Sequence, residues 1–318
     1  MNPKYIFGPV PSRRLGNSLG INPIPLKTCN YSCVYCQLGK TSDLKNEIKE
    51  YFPLEEIKAE LLEFFQNVRN LPDYITIVGE GEPLLYSKLG ELINFIKSNF
   101  LPPVALITNG SLLYVDSVRK SVKEVDVILP TVDTVISETF KKINRPHKEI
   151  KLENVLEGLI KTREEIEGDF WAEIMLVKGL NDSEEEIKAL SEYFKKLEPH
   201  RIFINIPVRP PADSWVKAPD LSAFHLVEKY IPEAEFINFS ESGMIDPSAY
   251  DSLKELIVSV SRRHPISLEL LKKSVNESDE KIEKEIKELE KEEKIKLIKH
   301  GTKIFIRGIS ERTRLLNR

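Results

Sequence analysis

The chain has 318 residues, 41% hydrophobic and 30% charged, with 46 Lys and Arg against 50 Asp and Glu. That balance describes a globular protein of one to three domains and excludes collagen-like, disordered and uniformly basic nucleic-acid-coating classes. No apolar run approaches the roughly 20 residues of a membrane helix. The first residues lack a signal-peptide core and cleavage site, so a cytoplasmic location and no membrane partner are expected.

Continuous apolar runs at 18–24, 74–79, 104–108, 125–132, 170–177 and 201–208 read as parallel strands buried on both faces. Amphipathic helical patterns separate them. Residues 53–69 place Ile57, Leu61, Leu62, Phe64 and Phe65 on one face, with Pro53 near the start. Residues 183–197 open on Ser183 with Glu186 three positions on, a capping box. Six β/α units in succession predict an α/β fold, a partial (β/α)6 parallel barrel over residues 1–240. Chemistry in such folds sits at the C-terminal strand ends.

Residues 241–318 change pattern. Helices over 247–263, 267–275 and 279–293 precede two β-prone runs, IKLIKH and KIFIRG, joined by Gly301 and Thr302. Three helices and a hairpin outline a small C-terminal winged-helix-like domain. Ser278 caps the third helix, whose buried stripe is Ile282, Ile286 and Leu289. That helix mixes charge signs on its outer face, which leaves nucleic-acid or peptide docking and a plain solvated face both open. Arg307, Arg312, Arg314 and Arg318 form a local basic cluster in the tail.

All three cysteines, Cys29, Cys33 and Cys36, stand within eight residues. In a reducing compartment they are not a disulfide framework. Thiolates at C-x3-C-x2-C spacing can hold three corners of a cubane iron–sulfur cluster and leave the fourth iron open. Zinc would need a fourth ligand, and no further Cys or His lies nearby in sequence. Tyr35 stands immediately before the last cysteine. This C-x3-C-x-aromatic-C pattern, on the loop after the first predicted strand, resembles the signature of the radical S-adenosylmethionine (SAM) superfamily.

The resemblance extends over about residues 5–240 and implies a [4Fe-4S] cluster on Cys29, Cys33 and Cys36, with SAM chelated at the open iron. It further implies reductive cleavage of SAM, an electron donor such as ferredoxin or flavodoxin, and hydrogen abstraction from a substrate. Gly79-Glu80-Gly81-Glu82-Pro83 is similar to the family's G-G-E-P segment, which assigns Gly81 and Glu82 to the SAM ammonium. Glu80 departs from the pattern. Thr108-Asn109-Gly110 looks like the T-N-G segment, and Thr131 and Asp133 occupy an S-L-D-like strand end. Arg145 is assigned either to the SAM carboxylate or to a surface acid. Asn181 falls at the strand end beside the adenosyl group, where Asn181 or Asp182 can equally start a helix. Tyr35 completes the expected cofactor-binding set. Arg209 points to an anionic substrate group. Arg13 and Arg14 read as salt-bridge residues, and Trp171 and Trp215 as core or loop packing.

The words PSRRLG-x-SLG-x-N and VYCQLG resemble a prokaryotic, largely archaeal subgroup related to the wyosine-forming tRNA enzymes. Those carry a second cluster on further cysteines, and this chain has none left. The expected activity is therefore a radical SAM reaction on an unidentified, macromolecular substrate, a tRNA base or a peptide. The alternatives are a cluster- or SAM-sensing regulator with a DNA-binding winged helix, and a peptide maturase.

Overall fold

The computed structural model describes residues 4–68, 70–237, 245 and 250–309. The chain divides into two compact units, one of residues 22–54 and 76–237, the other of residues 1–21, 55–75 and 238–318.

The first unit is α/β. Strands β4 (Val104–Thr108), β5 (Val127–Pro130), β6 (Asp169–Met175), β7 (Arg201–Asn205) and β8 (Ala234–Phe236) pair in parallel in chain order. Strand β3 (Tyr74–Ile77) precedes them and runs into the glycine turn at 79–81. Helices alternate with the strands: α2 (Leu89–Asn99), α3 (Asp116–Val122), α4 (Ser137–Ile143), α5 (Leu152–Glu165), α6 (Glu184–Leu197) and α7 (Leu221–Tyr230). Each of β4 to β7 is buried along most of its length, as its apolar run requires, while β8 is not. The expected run at 125–132 is regular only to Pro130; a bridge from Thr131 to Glu173 carries the pairing one residue further.

Ser183 caps α6, its Oγ accepting from Glu186 N at 3.3 Å. The reciprocal half of the expected capping box differs. The buried Glu186 carboxylate turns instead to the hydroxyls of Thr134 and Thr139, docking α6 on the loop after β5 and on α4.

In the second unit β1 (Ile6–Ser12) and β2 (Gly16–Ile21) form an antiparallel hairpin with a bulge between Phe7 and Val10. Helix α1 (Leu54–Asn67) buries Ile57, Leu61 and Phe64. Leu62, expected on that face, is exposed, because it lies about 100° round the helix from Leu61. The Glu60 carboxylate accepts from the backbone N–H groups of Lys4, Tyr5 and Ile6. Helix α8 (Leu253–Arg263) reaches the same N-terminal strand: Arg263 Nη2 donates to Lys4 O, and its guanidinium lies over the Phe7 ring.

The order then is β9 (Ile266–Ser267), α9 (Leu268–Ser274), α10 (Asp279–Lys291), β10 (Ile295–His300) and β11 (Lys303–Gly308), the strands forming a sheet in the order β10-β11-β9. Ser278 caps α10, and Ile282, Ile286 and Leu289 are its buried stripe, as the sequence predicts. Its carboxylates pair off the helix, Asp279 and Glu283 with Lys272, Glu288 and Glu292 with Lys254. Arg312, Arg314 and Arg318 lie outside the described residues.

Candidate active site

The cysteine loop, residues 28–40, is fixed by backbone pairing before any side chain acts. Ser32 N donates to Asn144 O at 3.0 Å, Val34 N to Ile143 O at 2.9 Å, and His147 N to Asn30 O at 2.7 Å. Tyr31 and Pro146 form an antiparallel bridge. Asp213 N donates to Val34 O at 3.0 Å from the opposite side. Val34 is buried with Ile143, Val177 and Val216, so the middle of the loop is a small core element. The turns Cys36 N to Cys33 O and Gly39 N to Cys36 O bring the last thiol round.

The glycine turn after β3 packs directly on this loop. A Cβ on Gly81 would stand 1.9 Å from Thr28 O, so only glycine admits the approach. Glu82 N donates to Thr28 O at 2.9 Å and Lys27 N to Glu80 O at 2.7 Å. Glu80, the departure from the family pattern, is buried and makes a reciprocal pair with Asn22: its N–H donates to Asn22 Oδ1 at 2.6 Å, and its Oε2 accepts from Asn22 Nδ2 at 2.8 Å. Its place is structural.

Two buried carboxylates organise the strand ends. Glu82 Oε1 accepts from Leu84 N at 3.0 Å and Thr108 Oγ1 at 2.5 Å, and Oε2 accepts from Asn109 N at 2.8 Å. Burial outweighs these three donors and holds the Glu82 pKa up at about 7. Asp133 Oδ2 accepts from Tyr35 Oη and from Asn144 Nδ2, each at 2.6 Å, and Oδ1 accepts from Met175 N at 2.9 Å. Burial raises its pKa to about 6 against the same kind of donors. Asp133 thus joins the cysteine loop, the end of β5 and the end of β6. Asn181 is fully buried, donating to Asp133 O and Met175 O and accepting from Val177 N. It ties strand ends together.

Asn109 Nδ2 lies 2.9 Å from Asn30 Oδ1 and 3.9 Å from Cys29 Sγ, so the T-N-G turn reaches the first cysteine. Asn144 Nδ2 lies 3.6 Å from Cys33 Sγ and Lys27 Nζ 3.4 Å from Cys36 Sγ. Each thiol therefore has a nitrogen donor from outside the cysteine motif itself. Burial, and next the Glu82 charge, push the Cys29 thiol up to about 12; burial and Asp133 raise Cys33 well above its usual range. Thiolates here require a positive partner. Arg145, in left-handed conformation at φ +47°, gives its guanidinium to Asp213 at 2.7 Å, the surface-acid reading rather than a free cation. Thr131 is half-buried at the end of β5. Arg209 Nη1 donates to Gln37 Oε1 at 2.8 Å. Sequence reasoning missed Asn22, Asn30, Ser111 and Lys27; of these, Asn30 sits beside a cysteine, and that adjacency is its one signal.

The three cysteines are free thiols. Among the described residues no three Cys, His, Asp or Glu side chains converge on a single ion.

The superfamily model for radical SAM proteins matches residues 24–190. The chain belongs to the radical SAM superfamily. It is 33% identical over 311 residues to a UPF0026 protein of Methanocaldococcus jannaschii, covering 96% of this chain and 97% of that protein. It is 36% identical over 296 residues to a Brachyspira hyodysenteriae protein described as GTPase Obg, covering 92% of this chain but spanning only 43% of that relative. Among solved structures, TYW1 with a lysine-pyruvate adduct superposes with a TM-score of 0.50 at 18% identity, over 74% of this chain and 79% of that one, a likeness of fold. As a radical SAM enzyme the chain uses a [4Fe-4S] cluster and SAM, and reductive cleavage of SAM follows from membership. No helix among the described residues is long and apolar enough to cross a membrane.

Proposed function

We propose that this enzyme abstracts a hydrogen atom from a nucleotide of an RNA substrate, with tRNA as the first candidate, in the cytoplasm. The observation that carries the radical chemistry is the convergence of three free thiols with the Glu82 and Asp133 networks at one set of strand ends. Cys29, Cys33 and Cys36 hold the cluster. Glu82, with Gly81 giving the close approach, receives the SAM ammonium; Thr108 and Asn109 hold Glu82 in place. Asp133, Tyr35 and Asn181 fix the cysteine loop against β5 and β6, and Thr131 borders the cofactor. A cluster held on Cys29, Cys33 and Cys36 would supply the one electron, drawn from a ferredoxin- or flavodoxin-like reductant, for reductive cleavage of SAM to methionine and a 5′-deoxyadenosyl group that would take the substrate hydrogen atom. The protein's task is to orient and to exclude water; the buried carboxylates and apolar Val34 cluster do both.

The substrate class is supported by the turn Asp213–Val216. Val216 N donates to Asp213 O at 3.1 Å; Asp213 is gripped by Lys40 and Arg145, and Val216 is buried against Val34. Trp215, expected to pack, is left 50% exposed at the tip. An exposed indole on a turn held in this way suits a stacked base. The C-terminal helices and hairpin, as a winged-helix-like domain over residues 241–318, would recruit the RNA. The pyruvate reaction of two-cluster relatives is not transferred, because three cysteines provide for one cluster.

The test is anaerobic incubation of reduced, reconstituted enzyme with SAM and bulk tRNA, scoring 5′-deoxyadenosine. Release should rise with tRNA and not with peptide pools. Trp215→Ala should weaken the tRNA response five- to hundredfold, about 1–3 kcal/mol, and leave basal SAM cleavage intact. Stimulation by peptides alone overturns the RNA reading. Specific DNA retardation without SAM cleavage would identify a regulator.

A further inference from the structure

Tyr31 lies between the first two cysteines, 4% exposed, its ring edge-on to Phe140 with centroids 5.5 Å apart. The ring is thus fully packed, yet its hydroxyl oxygen is buried without a hydrogen-bond partner. A buried hydroxyl left in that state costs about 1–3 kcal/mol, and such a group in a native fold is normally satisfied by something bound. The Tyr31 ring packs on α4, whose C-cap residue Asn144 lies 3.6 Å from Cys33 Sγ, and its own N–H lies 3.4 Å from Cys29 Sγ. A neutral phenol carries one O–H donor.

Both carboxylates already take three donors each, Glu82 from Leu84, Thr108 and Asn109, Asp133 from Tyr35, Asn144 and Met175. Tyr35, the other tyrosine of the motif, has its acceptor in Asp133. Cys33 Sγ lies on the α4 side, 3.6 Å from the Asn144 amide, so a cluster held there presents sulfur on the side where the Tyr31 ring packs.

We propose that the Tyr31 hydroxyl donates a hydrogen bond to a sulfur of the bound cluster on its Cys33 side, and so sets the cluster's reduction potential. Hydrogen bonds to cluster sulfurs withdraw negative charge and favour the reduced state. Tyr31 is a positioning residue, acting on SAM only through the cluster. The inference rests on superfamily membership and is independent of the RNA reading.

Tyr31→Phe keeps the ring on Phe140 and removes only the donor. Potentiometric titration followed by electron paramagnetic resonance should show unchanged iron content and a lower midpoint potential. The one-electron reduction equilibrium should shift by up to about tenfold, or about 59 mV. 3-Fluorotyrosine placed at position 31 alone is a stronger donor and should raise the potential. Opposite signs for the two variants are not produced by altered packing. Should the Phe variant lose its iron, the fluorotyrosine variant decides. An unchanged midpoint in the iron-loaded variants overturns the proposal. An unchanged midpoint with weakened SAM binding overturns it too, and assigns the hydroxyl to SAM instead.

Discussion

Gly81→Ala tests whether the glycine turn exists to admit the cysteine loop. The added Cβ would stand 1.9 Å from Thr28 O and 2.6 Å from Thr28 C, where even 3.0 Å is essentially never observed. Both are backbone atoms, so no side chain can swing aside. The turn and the loop must part by about 1 Å, which breaks Glu82 N to Thr28 O and Lys27 N to Glu80 O. At about 1–3 kcal/mol for each buried group left unpaired, the cost is about 3–5 kcal/mol. Gly39→Ala is the control: its φ of +88° is unfavourable for alanine, but a Cβ there meets nothing within 4 Å. It should lose only about 1–2 kcal/mol of backbone energy. Urea denaturation of the metal-free proteins gives the two stabilities, and iron analysis after reconstitution gives cluster content. Gly81→Ala should be the less stable and should hold less iron than Gly39→Ala. If it matches the parent in both, the close packing of turn on loop is not what makes position 81 glycine.

Glu82 carries a pKa of about 7 in the fold against 4.5 in the open chain, so between those values the folded state binds more protons and stability falls as pH rises, by about 3 kcal/mol in all; Asp133, raised to about 6 from 3.8, adds a fall of the same sign below pH 6. Denaturation of the metal-free protein from pH 4.5 to 8 should show this slope, and Glu82→Gln should flatten its upper part. If Glu82 takes the proposed role at the SAM ammonium, SAM affinity should strengthen as pH rises through 7 and be lost in the Gln variant by equilibrium dialysis. Cys33→Ala leaves two thiolates, too few for a stable cubane: reconstituted protein should lack the four-iron absorbance and release no 5′-deoxyadenosine. Asp133→Ala strips acceptors from Tyr35, Asn144 and Met175 together; it should cost about 3–5 kcal/mol and speed amide exchange in the cysteine loop.

Local chemistry made one layer of this protein readable and not the next. Strands buried on both faces declare themselves as apolar runs, which is why β3 to β7 are where the sequence puts them. The runs overshoot at their ends: Leu176 and Val177 are as buried as β6 itself, yet Val177 packs under the cysteine loop, and periodicity cannot separate a strand end from a buried loop. β1 escapes because Pro9 and Pro11 break its pattern, and β8 because three half-exposed residues carry too little signal. The site divides the same way. The cysteines are legible from spacing, and Glu82 and Asp133 from their places at strand ends. Asn30 and Asn144 are not, because their partners Ser111 and Cys33 lie 81 and 111 residues away. An amide carries both a donor and an acceptor. Asn144 can therefore satisfy Asp133 and still present N–H to Cys33, as Asn109 does with Asn30 and Cys29. A site that must bring partial positive charge to buried sulfur without adding net charge has good physical reason to use asparagine, and only the folded chain discloses which ones.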